Sequence, residues 1–167
     1  MRDASASAAQ VASGATLRPV TRADATRLFE WANRPDRRAV SLRNAEITWD
    51  THIAWLTARL ASPDCAFWVI EMAGTAGGWL RLERSADTAE VSIYILPDFR
   101  QQGAGATVLA AARAECVSRW PGVSLSARVR RDNPGSRRFF EKAGFVVFEE
   151  FSDHCVLRLP AATQAGR

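Results

Sequence analysis

A glycine-rich segment near the middle of the chain has the residue types of an anion-binding loop. It consists of Arg100, Gln101, Gln102, Gly103, Ala104, Gly105 and Ala106. The alternating apolar run from Glu90 to Leu96 before it predicts a strand, and apolar residues at helical spacing after it predict a helix. A strand that leads through glycines into a helix N-terminus presents free backbone N–H groups and the positive end of the helix dipole. We therefore expect a phosphate or pyrophosphate to bind here.

Two widespread phosphate-binding loops do not fit this segment. The nucleotide P-loop ends in Gly-Lys-Ser/Thr, whereas the one lysine of the chain is Lys142. The dinucleotide-binding fingerprint has a third glycine where this chain has Val108. The remaining pattern is Arg/Gln-x-x-Gly-x-Gly/Ala, with Arg100, Gly103 and Gly105 in register. It resembles the acetyl-CoA pyrophosphate loop of the GNAT superfamily of N-acetyltransferases.

A second motif, from Asn133 to Phe145, adds to this resemblance. Asn133 is a favourable N-cap for a helix, and Gly144 suits the residue just after the helix end. The segment resembles the next GNAT motif, Asn-x-x-Ser-x-x-Phe-Tyr-Glu-Lys-x-Gly-Phe, with Phe140 at the tyrosine position. The resemblance implies that Asn133 and Ser136 contact the pantetheine arm and the adenosine side of coenzyme A. It also implies that Phe140 packs against the pantetheine.

The two motifs together imply a fold and a cofactor. The resemblance covers residues 15–160 and implies the GNAT fold, an α+β (α/β) arrangement with a mixed, mostly antiparallel sheet of six to seven strands flanked by about four helices. It implies acetyl-CoA as the cosubstrate and no metal ion. Acyl transfer needs a backbone N–H at the carbonyl oxygen, and the resemblance assigns it to Ile95 and Leu96. The expected cofactor-binding residues are Ile95, Leu96, Arg100, Gln101, Gln102, Gly103, Ala104, Gly105, Ala106, Asn133, Ser136 and Phe140.

Two residues of the strand before the loop are the expected catalytic groups. Alternation places Glu90 and Tyr94 on one face of this strand. Many GNAT enzymes have a glutamate base near this point. The resemblance therefore implies that Glu90 removes the proton of the amine, directly or through water, with Glu83 and His52 as rivals. Phe140 has no proton to give, so Tyr94, the one tyrosine of the chain, is the expected acid. The alternative is that the thiolate leaves unassisted, which a thiol pKa near ~8.5 permits.

The acceptor site is expected in the amino-terminal half. This half resembles the nucleotide-sugar N-acetyltransferases of sialic-acid-like sugar pathways, including pseudaminic acid biosynthesis. Those carry Trp-Arg-Asn near the first helix end and Trp-x-x-His-x-x-Trp on the second helix; here Ala32 replaces the arginine. Aromatic rings beside basic groups suit a uracil ring and a diphosphate, while the alternative is that the tryptophans are core residues. The expected substrate-binding residues are Trp31, Arg37, His52 and Trp55.

The pKa of the acceptor amine narrows the substrate class. Deprotonating a lysine side chain of pKa ~10.4 at pH 7 costs about 4.6 kcal/mol, whereas an amine of pKa ~8 costs roughly 1.4 kcal/mol. A site with one carboxylate base and no obvious acid suits the second kind of amine. We expect an amino sugar or a nucleotide-linked amino sugar, with a protein or peptide N-terminal α-amine as the alternative. A non-catalytic acyl-CoA-binding module is the alternative of another class.

The composition is typical of one compact domain. The chain has 167 residues, 47% of them hydrophobic, and we expect a single domain at residues 15–160 between disordered tails at 1–14 and 161–167. No apolar run approaches the ~20 residues of a membrane helix, and three widely spaced cysteines are typical of a cytoplasmic protein. The net charge of +4 comes from scattered arginines, which does not favour nucleic-acid binding. The expected partner is a small-molecule amine, and the expected state is a monomer or homodimer.

The elements that must position these residues follow from periodicity. The predicted strands are residues 16–20, 67–72, 79–84, 90–96, 123–130, 145–148 and 155–159. A first helix, with Thr21 and Asp24 as its capping pair, is predicted to end near Asn33, and a second, capped by Thr48, to cover residues 49–60. Two more are predicted, at 105–120 and after Asn133. A glycine-rich hairpin at 74–78 joins two strands, and residues 34–43 are predicted to be irregular.

Overall fold

The computed structural model describes residues 9–10, 14–43, 45–100 and 103–159. Gln101 and Gln102 of the predicted loop, and most of both predicted tails, lie outside these ranges. Ala9–Gln10 lies inside the predicted amino-terminal tail but forms a short strand, because it pairs with Leu17 and Thr16.

The described residues form eight strands and six α-helices. The strands are β1 (Ala9–Gln10), β2 (Ala15–Pro19), β3 (Cys65–Met72), β4 (Thr75–Ser85), β5 (Thr88–Ile95), β6 (Ser124–Arg130), β7 (Val146–Glu150) and β8 (His154–Leu159). The helices are α1 (Ala25–Ala32), α2 (Pro35–Ala39), α3 (Trp49–Ala61), α4 (Pro97–Arg100), α5 (Ala104–Arg119) and α6 (Pro134–Lys142). A single 3-10 turn, Arg22–Asp24, precedes α1. The short helices α2 and α4 lie in segments that were predicted to be connections.

Side chains cap the helices where the sequence predicts. Thr21 and Asp24 form a reciprocal capping box at the 3-10 turn before α1. Thr48 accepts a hydrogen bond from the backbone N–H of Thr51 at the start of α3, and Asn133 caps α6. Such a cap stabilises a helix by about 1 kcal/mol relative to alanine.

The strands form one sheet in the order β1-β2-β3-β4-β5-β6-β8-β7. Neighbouring strands are antiparallel except β5 and β6, which are parallel. One face of the sheet packs on α5 and α6 around a core that includes Leu80, Leu82 and Leu157, and the other packs on α1 and α3. The predicted fold class, a mixed and mostly antiparallel sheet between helices, is confirmed.

β5 and β6 pair over only three residues and then separate. The parallel pairing runs from Thr88–Ser124 to Glu90–Ser126 and ends there. β5 continues to Ile95 along β4, while β6 continues along β8. The sheet therefore opens between these strands, and we call the opening the β5–β6 split. It begins beside Glu90 and widens toward the glycine-rich turn that follows α4.

A glycine in β4 lets the end of β5 approach closely. The predicted hairpin at 74–78 is wrong in its extent, since the turn is confined to Ala73 and Gly74, both of positive φ, and β4 begins at Thr75. Gly78 pairs with Ile95, and a Cβ atom on Gly78 would lie 2.1 Å from the carbonyl oxygen of Tyr94. A glycine is required here because that oxygen belongs to the backbone and cannot turn aside.

Replacing Gly78 with alanine is expected to lower the free energy of unfolding by about 2–3 kcal/mol, because the added methyl group must push β5 away from β4. Thermal and chemical denaturation measure the change. Gly135→Ala in α6 is the matched control, since its Cβ would have no neighbour closer than 3.8 Å. An unchanged melting temperature in Gly78→Ala would contradict the close approach.

Candidate active site

Helix α5 begins with the geometry of an anion-binding turn. Gly103 precedes the helix in the left-handed region at φ 71°, which residues with a side chain rarely adopt. The helix is 16 residues long, and its first turn carries no acidic side chain. No carboxylate of that turn therefore opposes an anion at its free N–H groups.

The first turn of α5 is kept narrow by small residues. Ala104 is buried, Gly105 is half-buried and Ala106 is exposed. A Cβ atom on Gly105 would come within 2.9 Å of the Phe139 ring, which reaches over from α6. Phe139 was not a predicted site residue, although it precedes Phe140 in the second motif. These positions fit a diphosphate that must approach the backbone of the turn closely.

The edge of β5 at the β5–β6 split carries backbone groups with no partner in β6. The N–H of Leu96 donates to the carbonyl of Gly77 at 2.8 Å, on the β4 side. Backbone groups alternate in direction along an antiparallel strand, so those of Ile93 and Ile95 point the other way, where β6 has separated. Of the two predicted donors, Leu96 is thus engaged with β4, and the Ile95 N–H faces the split.

Arg100 joins the end of β5 to α2. Its Nε donates to the carbonyl of Ile95 at 2.8 Å, and its Nη2 donates to the carboxylate of Asp36 at 2.7 Å. The hydroxyl of Tyr94 donates to the same carboxylate at 3.1 Å, and Nε of Arg34 donates at 3.0 Å. Asp36 was not predicted as a site residue, because nothing local marks an aspartate after Pro35 as more than a first-turn residue.

This network fixes the protonation of its two central groups. Burial alone raises the pKa of Asp36, but hydrogen bonds from Arg34, Tyr94 and Arg100 outweigh it and hold the pKa below its ordinary value. Burial, with the adjacent Asp36 charge, raises the pKa of Tyr94. At neutral pH, Asp36 is therefore a carboxylate and Tyr94 remains a phenol that can donate.

Helix α2 and the loop after it bridge the β5–β6 split. On the β5 side, Asp36 provides the contact through its carboxylate. On the far side, the carbonyl of Ser41 accepts a hydrogen bond from Arg130 of β6 at 3.0 Å. Between them, Arg38 donates to the carbonyls of Arg43 and Ala45 and fastens the loop. The segment that was predicted to be irregular is thus tied to both strands.

Three aromatic rings and an arginine lie together beside α2, and we call them the aromatic face. Trp31 of α1 stacks on Trp79 of β4 at 6.4 Å, and Trp79 lies 4.7 Å from the ring of Tyr94. The guanidinium of Arg37 sits 5.6 Å from the centre of the Trp79 ring. The three rings are buried, with 9% of Trp31, 6% of Trp79 and 5% of Tyr94 exposed, whereas Arg37 is half-buried. The substrate-binding roles of Trp31 and Arg37 stay predictions. Trp79 was missed, since its strand pattern marks it only as buried.

Arg37 is held in an unfavourable environment for a cation. Burial, as the largest cause, and the charges of Arg38 and Arg81 together lower its pKa to about 10. Tyr94 and Asp36 act in the opposite direction but more weakly. Among the described residues, no ion pair joins Arg37 to a carboxylate. The guanidinium remains charged at neutral pH, so the fold carries an uncompensated positive charge beside the aromatic face.

His52 and Trp55, also predicted to bind the substrate, lie in the packing between α1, α3 and β3. His52 is only 2% exposed, and its Nε2 bonds the carbonyl of Ala25 at 2.9 Å. Burial lowers the pKa of His52, which keeps its ring neutral. Trp55 packs edge-on against Phe67. The burial of His52 does not support contact with a substrate, and the role of the half-buried Trp55 stays a prediction.

The amino-terminal turn of α6 is ordered by its own cap. The side chain of Asn133 accepts a hydrogen bond from the backbone N–H of Ser136 at 3.1 Å. Asn133 and Ser136, both predicted to bind the cofactor, therefore lie on one turn. Phe140 is 4% exposed and packs edge-to-face against Phe139 and Phe145. Phe139, half-buried beside Gly105, is the ring of this helix that lies next to the α5 turn.

Glu90 lies where the β5–β6 split begins. Its carboxylate forms an ion pair with Arg128 of β6 at 3.2 Å, and both side chains are nearly half exposed. Glu90 and Tyr94 are four residues apart on one strand face, roughly 13 Å along β5. The two predicted catalytic groups are therefore too far apart to share one proton directly. Glu90 borders a groove of about 550 Å³ that Phe148 and His154 also line.

The described residues form neither a metal-ligand cluster nor a membrane-spanning helix. In that part of the chain, no three His, Cys, Asp or Glu side chains are grouped as metal ligands. The described helices include none with the length and apolarity needed to cross a bilayer.

The fold and site define a class of protein. A sheet that splits after a parallel pair, an open β5 edge and a glycine turn at the start of α5 together form a cradle whose shape suits a diphosphate. Residues 15–146 match the family model described as acetyltransferase (GNAT) domain. The chain belongs to this family and is an acetyl-CoA-dependent N-acetyltransferase.

Solved structures share this fold at low sequence identity. A spermidine N-acetyltransferase from Vibrio cholerae, in complex with CoA and spermine, is 19% identical with a TM-score of 0.80, covering 90% of this chain and 97% of that one. A GNAT acetyltransferase from Streptococcus pneumoniae is 16% identical with a TM-score of 0.72, covering 89% and 99%. A domain from Methanocaldococcus jannaschii is 17% identical with a TM-score of 0.76, covering 87% and 97%. No curated protein matches the chain.

Gly105→Val is expected to weaken coenzyme A binding by about tenfold or more, because the side chain must displace Phe139 and fill the turn that the diphosphate approaches. Isothermal titration with coenzyme A measures the loss. Ala110→Val is the matched control, since Ala110 is an exposed residue further along the same helix. Equal affinity of the two variants would count against the cradle.

Proposed function

We propose that the chain transfers the acetyl group of acetyl-CoA directly to the primary amine of an amino sugar or nucleotide-linked amino sugar. The observation that supports this acceptor is the half-buried Arg37 guanidinium, which lies 5.6 Å from the centre of the buried Trp79 ring. Arginine binds phosphate oxygens, so this guanidinium suits the diphosphate of a nucleotide-linked amino sugar.

The cofactor side follows from the cradle. We assign the diphosphate of acetyl-CoA to the turn at Gly103, Ala104, Gly105 and Ala106, and the pantetheine arm to the β5–β6 split between Ile95 and the turn at Asn133 and Ser136. When bound, acetyl-CoA supplies the activated acetyl group. The Ile95 N–H is the donor for the carbonyl oxygen, because the Leu96 N–H is already hydrogen-bonded to Gly77. Leu96, Arg100, Gln101, Gln102 and Phe140 remain cofactor-binding predictions.

Proton transfer is divided between two groups in this proposal. Glu90 takes the amine proton through water, since it lies roughly 13 Å from Tyr94 along the strand and its carboxylate is solvent-accessible. Tyr94 donates a proton to the leaving thiolate, since its raised pKa keeps the phenol protonated. Asp36 orients that hydroxyl rather than touching the acceptor. The ion pair with Arg128 keeps Glu90 at the mouth of the split.

Polyamine acceptors are a specific alternative. The similar Vibrio cholerae enzyme is a spermidine N-acetyltransferase and was solved with spermine bound. A polyamine carries several positive charges and needs carboxylates around it. Here Asp36 is engaged by Arg34 and Arg100, and Arg37 stands uncompensated, so the aromatic face repels a polycation. We therefore place polyamines behind amino sugars and N-terminal α-amines.

Two wider predictions remain proposals. We expect a monomer or homodimer, although a Vibrio cholerae spermidine N-acetyltransferase is described as dodecameric. The cytoplasm remains the expected location, because acetyl-CoA is the cosubstrate and the three cysteines are free thiols.

A thiol-release assay with acetyl-CoA tests the activity across amino sugars, N-terminal peptides, spermidine and lysine. Glu90→Gln and Tyr94→Phe are each expected to lower kcat by about 10- to 100-fold on the best amine, as loss of a general base or acid does. Glu115→Gln in α5 is the matched control, because Glu115 pairs only with the neighbouring Arg119 on the helix surface.

Other outcomes of the assay select the other candidates. Thiol release on N-terminal peptides but on no amino sugar would replace the proposed acceptor with the α-amine. No release on any amine, with coenzyme A still bound, would indicate a non-catalytic acyl-CoA-binding module. Release on spermidine above all others would show that the positive charge of the aromatic face does not select the acceptor.

A further inference from the structure

Residues 35–41, which are helix α2 and the turn after it, cross the β5–β6 split, and we call them the α2 strap. The strap carries Asp36, whose carboxylate accepts the Tyr94 hydroxyl at 3.1 Å, and it ends at Ser41. Its helix has five residues, none of them fully buried. A helix this short is not stable by itself, so contacts with the sheet must hold the strap in place.

Several hydrogen bonds close the loop that contains the strap onto itself. Arg38 donates to the carbonyls of Arg43 and Ala45. At the base of the loop, the side chain of Asn33 exchanges two hydrogen bonds with the backbone of Ile47, at 2.8 and 2.9 Å. These bonds determine the shape of the loop. Its position over the sheet depends on the bonds at the two ends of the strap.

Arg130, the last residue of β6, holds the far end of the strap. Its Nη1 donates to the carbonyl of Ser41 at 3.0 Å. Its Nε donates to one carboxylate oxygen of Asp132 at 2.8 Å, and its Nη2 donates to the other. A two-bond pair of this kind fixes the plane of a guanidinium. The remaining nitrogen is therefore directed at the strap.

The backbone of Arg130 holds the cofactor side of the site. Its carbonyl accepts a hydrogen bond from the backbone N–H of Asn133 at 3.1 Å. Asn133 caps α6, and its turn with Ser136 is predicted to bind acetyl-CoA. Arg130 therefore contacts the strap through its side chain and the α6 turn through its backbone.

Arg100 makes the equivalent connection on the β5 side. Its guanidinium joins Asp36 of the strap to the carbonyl of Ile95. Each end of the strap is thus bonded to an arginine that also holds one wall of the β5–β6 split. A strap bonded at one end alone could turn about that end, which would move Asp36 and Arg37 relative to the edge of β5.

We propose that Arg130 is a positioning residue for acetyl transfer and acts through the α2 strap. Its bond to Ser41 fixes the strap across the split. Asp36 therefore stays at the Tyr94 hydroxyl, and the acceptor side keeps a set position relative to the thioester. We assign Arg130 no contact with the acetyl group or the amine. This inference rests on the proposed function and adds a residue to the same site.

Arg130→Met tests this role, because methionine retains apolar length but donates no hydrogen bond. In the thiol-release assay on the best amine, kcat is expected to fall about tenfold or more, since a displaced strap misaligns the reacting groups. The KM for acetyl-CoA should stay within about twofold of the parent value, because the α5 turn is unchanged. Arg130→Lys should recover part of kcat, since its ammonium can still donate to the Ser41 carbonyl.

Arg131→Met is the matched control. Arg131 is the next residue in the chain, and its side chain pairs with Glu150 of β7 at 3.3 Å rather than with the strap. This variant should keep the parent kcat. Equal losses of kcat in the two variants would overturn the proposal. An unchanged kcat in Arg130→Met, or a loss confined to the KM for acetyl-CoA, would overturn it as well.

Hydrogen exchange of the strap separates this inference from the proposed activity. Peptides that cover residues 35–43 are followed by mass spectrometry in the free protein, with neither acetyl-CoA nor an amine present. In Arg130→Met these peptides should exchange about tenfold faster, as loss of a charge-assisted hydrogen bond allows, whereas peptides from β3 and β4 should not change. Faster exchange, with no amine acetylated by the parent protein, would support the anchor and reject the proposed function alone. Unchanged exchange would reject the anchor even if amines are acetylated.

Discussion

The separation of β5 from β6 after Glu90 and Ser126 is the constraint on which the rest of the site depends. Backbone N–H and C=O groups in a sheet normally pair, and leaving them open costs free energy comparable to a lost hydrogen bond. β5 nevertheless continues to Ile95 with one edge open, held in place by β4 alone. Gly78 makes that hold possible, since it lets the Tyr94 carbonyl come closer than any side chain would allow. The open edge is where a backbone donor can meet an acetyl group.

Charge pairing then couples the open edge to the acceptor side. Asp36 accepts hydrogen bonds from Tyr94, Arg34 and Arg100. Arg100 also donates a hydrogen bond to the Ile95 carbonyl at the end of β5. The short helix α2 is therefore anchored to the strand that carries the donor. The same pairing consumes the negative charge of Asp36 and leaves the neighbouring aromatic face positive. In the proposed function, this one carboxylate helps to position the reaction and disfavours a polycationic acceptor.

Local patterns predicted much of the fold, and long-range contacts account for what they missed. A few consecutive residues define each of the two motifs, the loop at Gly103 and Gly105 and the Asn133 cap. The family, the cofactor and the order of elements could therefore be predicted from them. Asp36 and Trp79 matter through partners 42 to 64 positions away in the chain, and Phe139 through a glycine of another helix. No spacing rule shows such pairs. The burial of His52 is hidden from the sequence for the same reason, because only the packing of α1 on α3 shows that its ring is covered.

Amide hydrogen exchange, resolved by residue, tests the open edge most directly. The account predicts that the Ile95 amide of the free protein exchanges quickly and becomes protected when acetyl-CoA is bound. The Leu96 amide, bonded to Gly77, should be protected in both states. Slow exchange of Ile95 without the cofactor, or no change on binding, would contradict the claim that the β5–β6 split exposes this donor for acetyl-CoA.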